Sequence, residues 1–167
     1  REAENARQGK KGRIVAKMNS LCDPVIMHAL YDASAAGVKI DLIVRGICCI
    51  KAGVPGLSEN IKVRSIVGNY LEHSRIFYFY NDGFEDIYMG SADWMPRNLD
   101  KRVEITFPVE DPKLKSQIKD ILKIQLADTL KAHIMQPDGS YAKQDLRGKE
   151  KLDSQMYFVK KASEGHE

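Results

Sequence analysis

The chain has 167 residues, which suits a single domain, and 43% of them are hydrophobic, enough to bury a core. Its formal net charge of +3 is too small to indicate a nucleic-acid-binding protein by itself. A run of about 18 apolar residues, the length that spans a bilayer, does not occur. Three cysteines without metal-site spacing argue against a disulfide framework and predict reduced thiols in the cytosol.

Residues 1–12 form a charged segment that lacks the apolar stretch of a signal peptide. Gly9 and Gly12 are typical of the end of a helix. We therefore expect residues 1–12 to be a helix end or a linker left from an upstream domain. The domain itself is expected to run from residue 13 to residue 167.

The next segment is typical of a strand–helix–strand unit. Arg13–Met18 and Lys39–Val44 are short apolar runs that predict strands. Between them, Asp23 as the N-cap and Pro24 at the first helical position predict the start of a helix. This order of elements predicts two parallel strands joined by a helical crossover.

Asn19 and Arg45 directly follow these two strands. Open α/β sheets bind ligands outside the carboxyl ends of their strands. A guanidinium at such an end can hold two phosphate oxygens at once, and Gly46 leaves room for a backbone to approach closely. The alternative is that Arg45 only forms an ion pair at the surface.

Residues 72–93 hold the densest group of candidate residues. If a strand begins near His73, His73 and Arg75 project from the same face, because side chains alternate along a strand. Residues 81–83, Asn-Asp-Gly, predict a tight turn that carries Gly90-Ser91 back toward His73. An imidazole, a guanidinium, a hydroxyl and a glycine N–H would then converge on an anion, most commonly phosphate. The alternative is that His73 is a hydrogen-bonded structural residue.

The remaining segments are predicted from turn residues and apolar periodicity. Four consecutive aromatic residues at 77–80 favour an inner strand covered on both faces, and Trp94 is expected to be a packing anchor. His28, His133 and His166 receive no role. The other predictions are a strand over 61–67, a loop over 92–100, a strand over 103–107 opened by Arg102, an amphipathic helix from Asp111-Pro112, a loop over 133–146 and a last helix over 154–162.

Several long motifs occur in a fixed order along the chain, among them VRGIC, YLEHSRI, GSADWMPRN and KRVE. With these motifs the chain resembles the C-terminal domain of bacterial-type polyphosphate kinases, the class that synthesises long-chain polyphosphate. The similarity runs from about residue 10 to residue 130 and more weakly beyond. The resemblance implies an α/β fold of the phospholipase D type, with a mixed sheet flanked by helices.

The resemblance also implies a reaction, the reversible transfer of the γ-phosphate of ATP to inorganic polyphosphate through a phosphohistidine. That histidine would belong to an upstream domain that this chain does not contain, so we expect the chain alone to be inactive. In this chain the resemblance implies that His73 is catalytic, as a proton or hydrogen-bond donor, and that Arg45, His73 and Arg102 line the phosphates of ATP.

The resemblance implies no metal ligand in this chain, since Mg²⁺ would arrive with ATP and be held mainly elsewhere. The expected partners are ATP, ADP, inorganic polyphosphate and the upstream domains of the same polypeptide, with no nucleic acid. The full enzyme is expected to be a homo-oligomer in the cytoplasm, with the periphery of the inner membrane as a further possible location.

The chain departs from the motif of phospholipase D enzymes, which is His-x-Lys, then an acid, then Gly-Ser-x-Asn. Here Arg75 replaces the lysine, Tyr80 takes the place of the acid and Asp93 replaces the asparagine. These departures argue against phosphodiesterase activity. Two alternatives nevertheless stay open, a phospholipase D-like phosphodiesterase that acts as a dimer and a non-catalytic domain that binds polyanions.

Overall fold

The structure is a computed structural model and describes residues 1–164, so that His166 lies outside the described residues. The helices are α1 (Glu2–Arg7), α2 (Pro24–Ala35), α3 (Pro96–Lys101), α4 (Pro112–Leu126) and α5 (Ser154–Glu164). The strands are β1 (Arg13–Met18), β2 (Lys39–Val44), β3 (Ile61–Ile66), β4 (Arg75–Phe79), β5 (Asp86–Gly90), β6 (Thr106–Pro108), β7 (Ala132–Met135) and β8 (Tyr141–Lys143).

The strands form one mixed sheet in the order β6-β5-β4-β1-β2-β3-β7-β8. β1, β2 and β3 run parallel to one another, and the neighbours on either side pair antiparallel. The parallel pair predicted for β1 and β2 is therefore confirmed. The α/β class is confirmed as well, because helices cover both faces of a mixed sheet.

Alternate side chains of β1 serve two different hydrophobic cores. Ile14, Ala16 and Met18 pack into the core that contains residues of α1 and α2. Val15 belongs to the opposite core, which contains Ile118 and Leu122 of α4. This alternation is the period of two expected for a strand that is covered on both faces.

Local signals in the sequence account for the best-predicted elements. Asp23 caps α2, since its Oδ1 accepts a hydrogen bond of 2.9 Å from the backbone N–H of Ile26. β4 lies between β5 and β1, which confirms the prediction of an inner strand. Trp94 is the expected packing anchor, because its ring stacks on Phe77 with centroids 4.9 Å apart and planes 10° apart.

Other predictions were wrong at the ends of the sheet. The segment 133–146, predicted as a loop, contains most of the β7–β8 hairpin, since Pro-Asp-Gly at 137–139 makes a tight turn. Gly139 has a φ of +88°, and the Gln136 N–H donates to the Ser140 carbonyl across the turn at 2.7 Å. The predicted loop 92–100 contains most of α3. Arg102 follows the last residue of α3 as its C-cap and does not open a strand. The strand predicted over 103–107 is the shorter β6, Thr106–Pro108.

Residues 1–12 contact the rest of the described chain. Ala3 and Ala6 of α1 pack on the core of α2, and the buried Glu2 carboxylate accepts a 2.9 Å hydrogen bond from the Arg13 N–H. The division between residues 12 and 13 stays a prediction. All three cysteines are free, with Cys49 exposed. Among residues 1–164, none of the helices has both the length and the apolar character needed to cross a membrane.

Candidate functional site

Asn19 and Arg45 lie side by side at the carboxyl ends of β1 and β2. The register pairs Met18 with Val44, so the next residue of each strand leaves the sheet at the same edge. Arg45 Nε donates to Asn19 Oδ1 at 3.2 Å. The space beside Gly46 is filled by the Asn19 backbone, because the Gly46 N–H donates to the Asn19 carbonyl at 2.7 Å. The Gly46 N–H is therefore already used within the fold.

His73 reaches the same point from a loop. The strand predicted to begin near His73 begins instead at Arg75, and residues 69–72 form no helical turn. The His73 Nδ1 lies 3.4 Å from Asn19 Nδ2. The Asn19 amide therefore lies between the guanidinium of Arg45 and the imidazole of His73, and it holds the two predicted residues together.

The Asn19 amide also determines which nitrogen of His73 carries the proton. Arg45 is a donor only, so it requires the amide oxygen, and the amide nitrogen then faces His73. A donor facing Nδ1 requires Nδ1 to accept, which in a neutral imidazole leaves the proton on Nε2. Because His73 is an exposed residue and its Nδ1 faces Asn19, its Nε2–H group is available to donate to a ligand.

Arg75 has a structural role in the loop. Its guanidinium donates to both carboxylate oxygens of Asp93, at 3.1 and 3.3 Å, and to the His73 carbonyl at 2.8 Å. The buried Asp93 also accepts a 2.8 Å hydrogen bond from the Asn19 N–H. Arg75 and Asp93 therefore fix the backbones of His73 and Asn19, and each of the three nitrogens of the Arg75 guanidinium donates within the fold. From the sequence alone, Asp93 was noted only as the residue that replaces the asparagine of the phospholipase D motif.

A buried lysine that sequence reasoning missed supports the loop from below. Lys17 is 1% exposed, and its Nζ lies 3.3 Å from Glu72 Oε2 and donates to the Ser74 carbonyl at 3.1 Å. These two partners flank His73 in the chain. Burial lowers the pKa of Lys17, while the neighbouring Glu72 opposes that shift. The sign in the sequence that could have identified it is a lysine between the apolar residues of β1.

The charges near His73 are paired except for Arg45. Lys17 pairs with Glu72, and Arg75 pairs with Asp93. Within residues 1–164, Arg45 has no ion-pair partner, and its two terminal amino groups form no hydrogen bond. The site therefore presents one half-buried guanidinium with free donors next to one imidazole N–H, which is the chemistry of an anion site.

The hairpin carries Gly90-Ser91 back toward His73 as predicted, but the expected donors of Ser91 are not free there. The hairpin register brings Gly90 opposite Arg75, but β6 then pairs with β5 on the other side. The Ser91 N–H donates to the Ile105 carbonyl at 3.0 Å, and the Ser91 hydroxyl bonds to the Glu104 carboxylate. Neither group of Ser91 is free to meet a ligand beside His73.

Arg102 lies at the end of α3 with an exposed side chain. No hydrogen bond or ion pair within residues 1–164 joins it to Arg45 or His73. Hydrogen bonds from Ser91 and Asn98 lower the pKa of Glu104, with a smaller contribution from the charge of Arg102. The predicted phosphate contact of Arg102 stays a prediction.

The carboxylates of the site do not form a metal-binding group. In the described part of the chain, no cluster of three or more histidine, cysteine, aspartate or glutamate side chains is arranged to hold a metal ion. Glu72 and Asp93 each accept from a cation and from a further N–H donor. The donor set of Arg45, His73 and Asn19 suits phosphate oxygens.

Comparison with known proteins identifies the family. The family model described as "Polyphosphate kinase C-terminal domain 2" matches residues 1–155. This chain belongs to the polyphosphate kinase family. A polyphosphate kinase of Synechocystis sp. is 62% identical over 141 residues, which are 84% of this chain and 19% of that relative. Polyphosphate kinase 1 of Chlorobaculum tepidum is 54% identical over 166 residues, 98% of this chain and 23% of that relative. The chain thus spans about a fifth to a quarter of these relatives.

Solved structures agree with this assignment and with the predicted fold. Polyphosphate kinase from Porphyromonas gingivalis matches with a TM-score of 0.92 and 44% identity, over 99% of this chain and 26% of that one. Nuc from Salmonella typhimurium, a phospholipase D family member, matches with a TM-score of 0.55 and 17% identity, over 85% of this chain and 89% of that one. The second likeness concerns the fold alone and confirms the phospholipase D-like architecture of this polyphosphate kinase domain.

Proposed function

We propose that this chain lines the ATP and polyphosphate site of a longer polyphosphate kinase. That enzyme would reversibly transfer the γ-phosphate of ATP to inorganic polyphosphate through a phosphohistidine carried by an upstream domain. The observation that carries the proposal is the junction at Asn19, where one amide holds Arg45 and His73 together while both keep free donors. Family membership supports the reaction class.

The geometry suits the demands of phosphoryl transfer, which needs positioning and charge stabilisation more than covalent chemistry from this domain. The two terminal amino groups of Arg45 hold oxygens of the transferring phosphoryl group. His73 donates from Nε2–H to the same group. With the proton on Nε2, no lone pair of His73 faces outward, so His73 acts as a donor and the nucleophile comes from elsewhere.

Mg²⁺ enters this scheme as part of the nucleotide substrate. The site of this chain offers a guanidinium and N–H donors, and its carboxylates are already paired, so its residues bind phosphate oxygens and leave the metal to other parts of the enzyme. Arg102, with its exposed guanidinium, would contact phosphate oxygens farther along the substrate. Upstream domains of the same polypeptide would close the site.

Substitutions in the full-length enzyme test the proposal. Arg45→Ala and His73→Ala are each expected to lower polyphosphate synthesis about a hundredfold or more, because one preorganised donor is typically worth ~2.7–4 kcal/mol. The matched controls are Arg147→Ala, which removes an exposed guanidinium paired with Asp145, and His28→Ala, which removes an exposed imidazole of α2. Both controls are expected to stay within about twofold of the unsubstituted enzyme.

The same variants separate the alternatives. If neither Arg45→Ala nor His73→Ala lowers synthesis, the proposed roles are wrong. Hydrolysis of a model phosphodiester that depends on His73 would instead indicate a phosphodiesterase. Salt-sensitive binding of polyphosphate that is independent of His73 would indicate a non-catalytic polyanion-binding domain. The geometry offers no support to a phosphodiesterase, since Arg75 is bonded to Asp93 and Ser91 to Glu104.

A further inference from the structure

The first turn of α5 contacts the loop that carries His73. Gln155 is 5% exposed, and its side-chain amide binds both backbone polar groups of Tyr70. Its Oε1 accepts from the Tyr70 N–H at 3.0 Å, and its Nε2 donates to the Tyr70 carbonyl at 2.8 Å. The same Nε2 donates to Glu72 Oε1 at 3.0 Å. One glutamine therefore fixes the loop at two residues that precede His73.

Glu72 connects this contact to the strand below. Its other oxygen, Oε2, accepts from Gln125 of α4 at 3.1 Å and lies 3.3 Å from the Lys17 ammonium. Lys17 also holds the Ser74 carbonyl. The loop is thus bound at residues 70, 72 and 74, and His73 is the residue between the last two.

Gln155 is itself held firmly in place. The preceding residue, Ser154, donates from its backbone N–H and its hydroxyl to Asp128 Oδ2 at 2.8 and 2.7 Å. Asp128 is fully buried and also accepts from the N–H groups of Lys131 and Ala132 at the start of β7. The N-terminus of α5 is therefore fixed to the sheet.

Gly68 gives the Gln155 amide the space that it occupies. A Cβ at position 68 would lie 2.3 Å from Gln155 Oε1 and 2.8 Å from its Cδ. No real Cβ tolerates such distances, so a larger residue at 68 would displace the glutamine side chain. The contact can be broken from either side, which supplies two independent tests.

We propose that Gln155 is a positioning residue for phosphoryl transfer. By holding residues 70 and 72, it keeps the His73 imidazole against Asn19 and next to Arg45. The orientation of His73 is therefore determined by α5. This inference rests on the proposed function. It predicts that breaking the Gln155 contact impairs catalysis through His73 while phosphate binding by Arg45 persists.

The test uses Gln155→Ala and Gly68→Ala in the full-length enzyme. Each is expected to lower kcat on the order of tenfold, because small displacements of a catalytic group are costly, while the KM for ATP changes less than about twofold. Hydrogen exchange of the segment 67–74 is expected to rise in both variants. Gln117→Ala, which removes an exposed glutamine from α4, is the control and is expected to change neither readout.

The double variant adds a readout that general destabilisation would not give. Alanine at position 155 makes room for alanine at position 68, so Gly68→Ala with Gln155→Ala is expected to be no worse than Gln155→Ala alone. Additive losses would overturn the inference.

Two other outcomes would also overturn it. One is a kcat within about twofold of the unsubstituted enzyme in Gln155→Ala while His73→Ala is inactive, which leaves the proposed function intact. The other is a loss of kcat without faster exchange over 67–74. If Arg45→Ala and His73→Ala themselves leave kcat unchanged, the proposed function is wrong, and the inference about Gln155 is overturned with it.

Discussion

Two neighbouring sets of strand ends along one edge of the sheet carry polar residues that the sequence marked for phosphate binding. They differ in what those residues are bonded to. At the carboxyl ends of β1 and β2, Arg45 and His73 share the Asn19 amide and keep donors free. At the end of the β4–β5 hairpin, the Ser91 hydroxyl is bonded to Glu104, and its N–H belongs to the sheet. The first set of strand ends keeps free donors, whereas the polar groups of Ser91 are used within the fold.

The difference follows from how the strands continue. Beyond β1 and β2 the two backbones bond to each other, since the Gly46 N–H donates to the Asn19 carbonyl, while the terminal amino groups of Arg45 stay free. The hairpin, by contrast, has β6 paired along β5, and this third strand uses the polar groups at its end. Residue type alone therefore does not define a binding site, because a donor must also be unpaired.

The largest effect on stability is expected beneath the first set of strand ends. Lys17→Met leaves the Glu72 carboxylate without its buried cation and should lower the free energy of unfolding by ~3–5 kcal/mol. Lys160→Met, which removes an exposed pair with Glu164 on α5, should cost less than about 1 kcal/mol. Urea unfolding of the two variants measures both values. Equal losses would contradict the view that Lys17 supports the His73 loop.

The next effect is expected at the hairpin end. In Gly90→Ala the new Cβ would lie 2.5 Å from the backbone oxygen of Ile105, which no side-chain rotation relieves. Overpacking of this kind typically costs ~1–3 kcal/mol, so unfolding should occur at a lower urea concentration. The activity of the folded full-length enzyme should persist.

In Gly46→Ala, the Cβ would lie 3.0 Å from the Asn19 carbonyl, so activity should suffer more than stability. The reverse pattern would invalidate the comparison between the two sets of strand ends.

The sequence predicted the elements that have strong local signals. The Asp23-Pro24 helix start and the β-branched run of Lys39–Val44 identified the βαβ unit, because capping and burial on both faces leave distinct patterns. The edge strands β6 and β8 were misplaced or missed. Their residues are exposed, so they lack the alternation that identifies a strand.

The site was predicted in part. Arg45 came from its place after a strand, and His73 from its spacing to Arg75 together with the family motif. Asn19 was placed beside Arg45 at the strand ends, but its contact with His73 and the contact of Lys17 with Glu72 were missed, since these residues meet only in the folded chain. The chain gives no local sign that Arg75 is bonded to Asp93 while Arg45 stays unpaired.

A smaller effect, on catalysis, is expected from the amide that joins the two site residues. Asn19→Ala should lower polyphosphate synthesis by the full-length enzyme about tenfold, because a hydrogen bond to a charged group is worth ~1.5 kcal/mol or more. Ser91→Ala, which removes an exposed hydroxyl bonded to Glu104, should stay within about twofold. Kinetics of the two variants would contradict the comparison if Ser91→Ala proved the more damaging.

The smallest effect is a pH dependence in the turn of the hairpin. The hydrogen bond from Lys119 is the main cause that lowers the pKa of Glu85 below its ordinary value of 4.5. Because the folded pKa is depressed, this stabilisation is present above pH 4.5 and is lost as the pH falls through the folded pKa. Both side chains are about a third exposed, so the contribution should be only ~0.5 kcal/mol.

Lys119→Ala tests this ion pair. The variant should be slightly less stable than the unsubstituted chain at pH 6 and equal to it once Glu85 is protonated, as measured by urea unfolding across that pH range. An unchanged pH dependence would show that the carboxylate gains nothing from Lys119. Polyphosphate synthesis at neutral pH should not change, since the polar groups of the hairpin are used within the fold, whereas Arg45 keeps free donors.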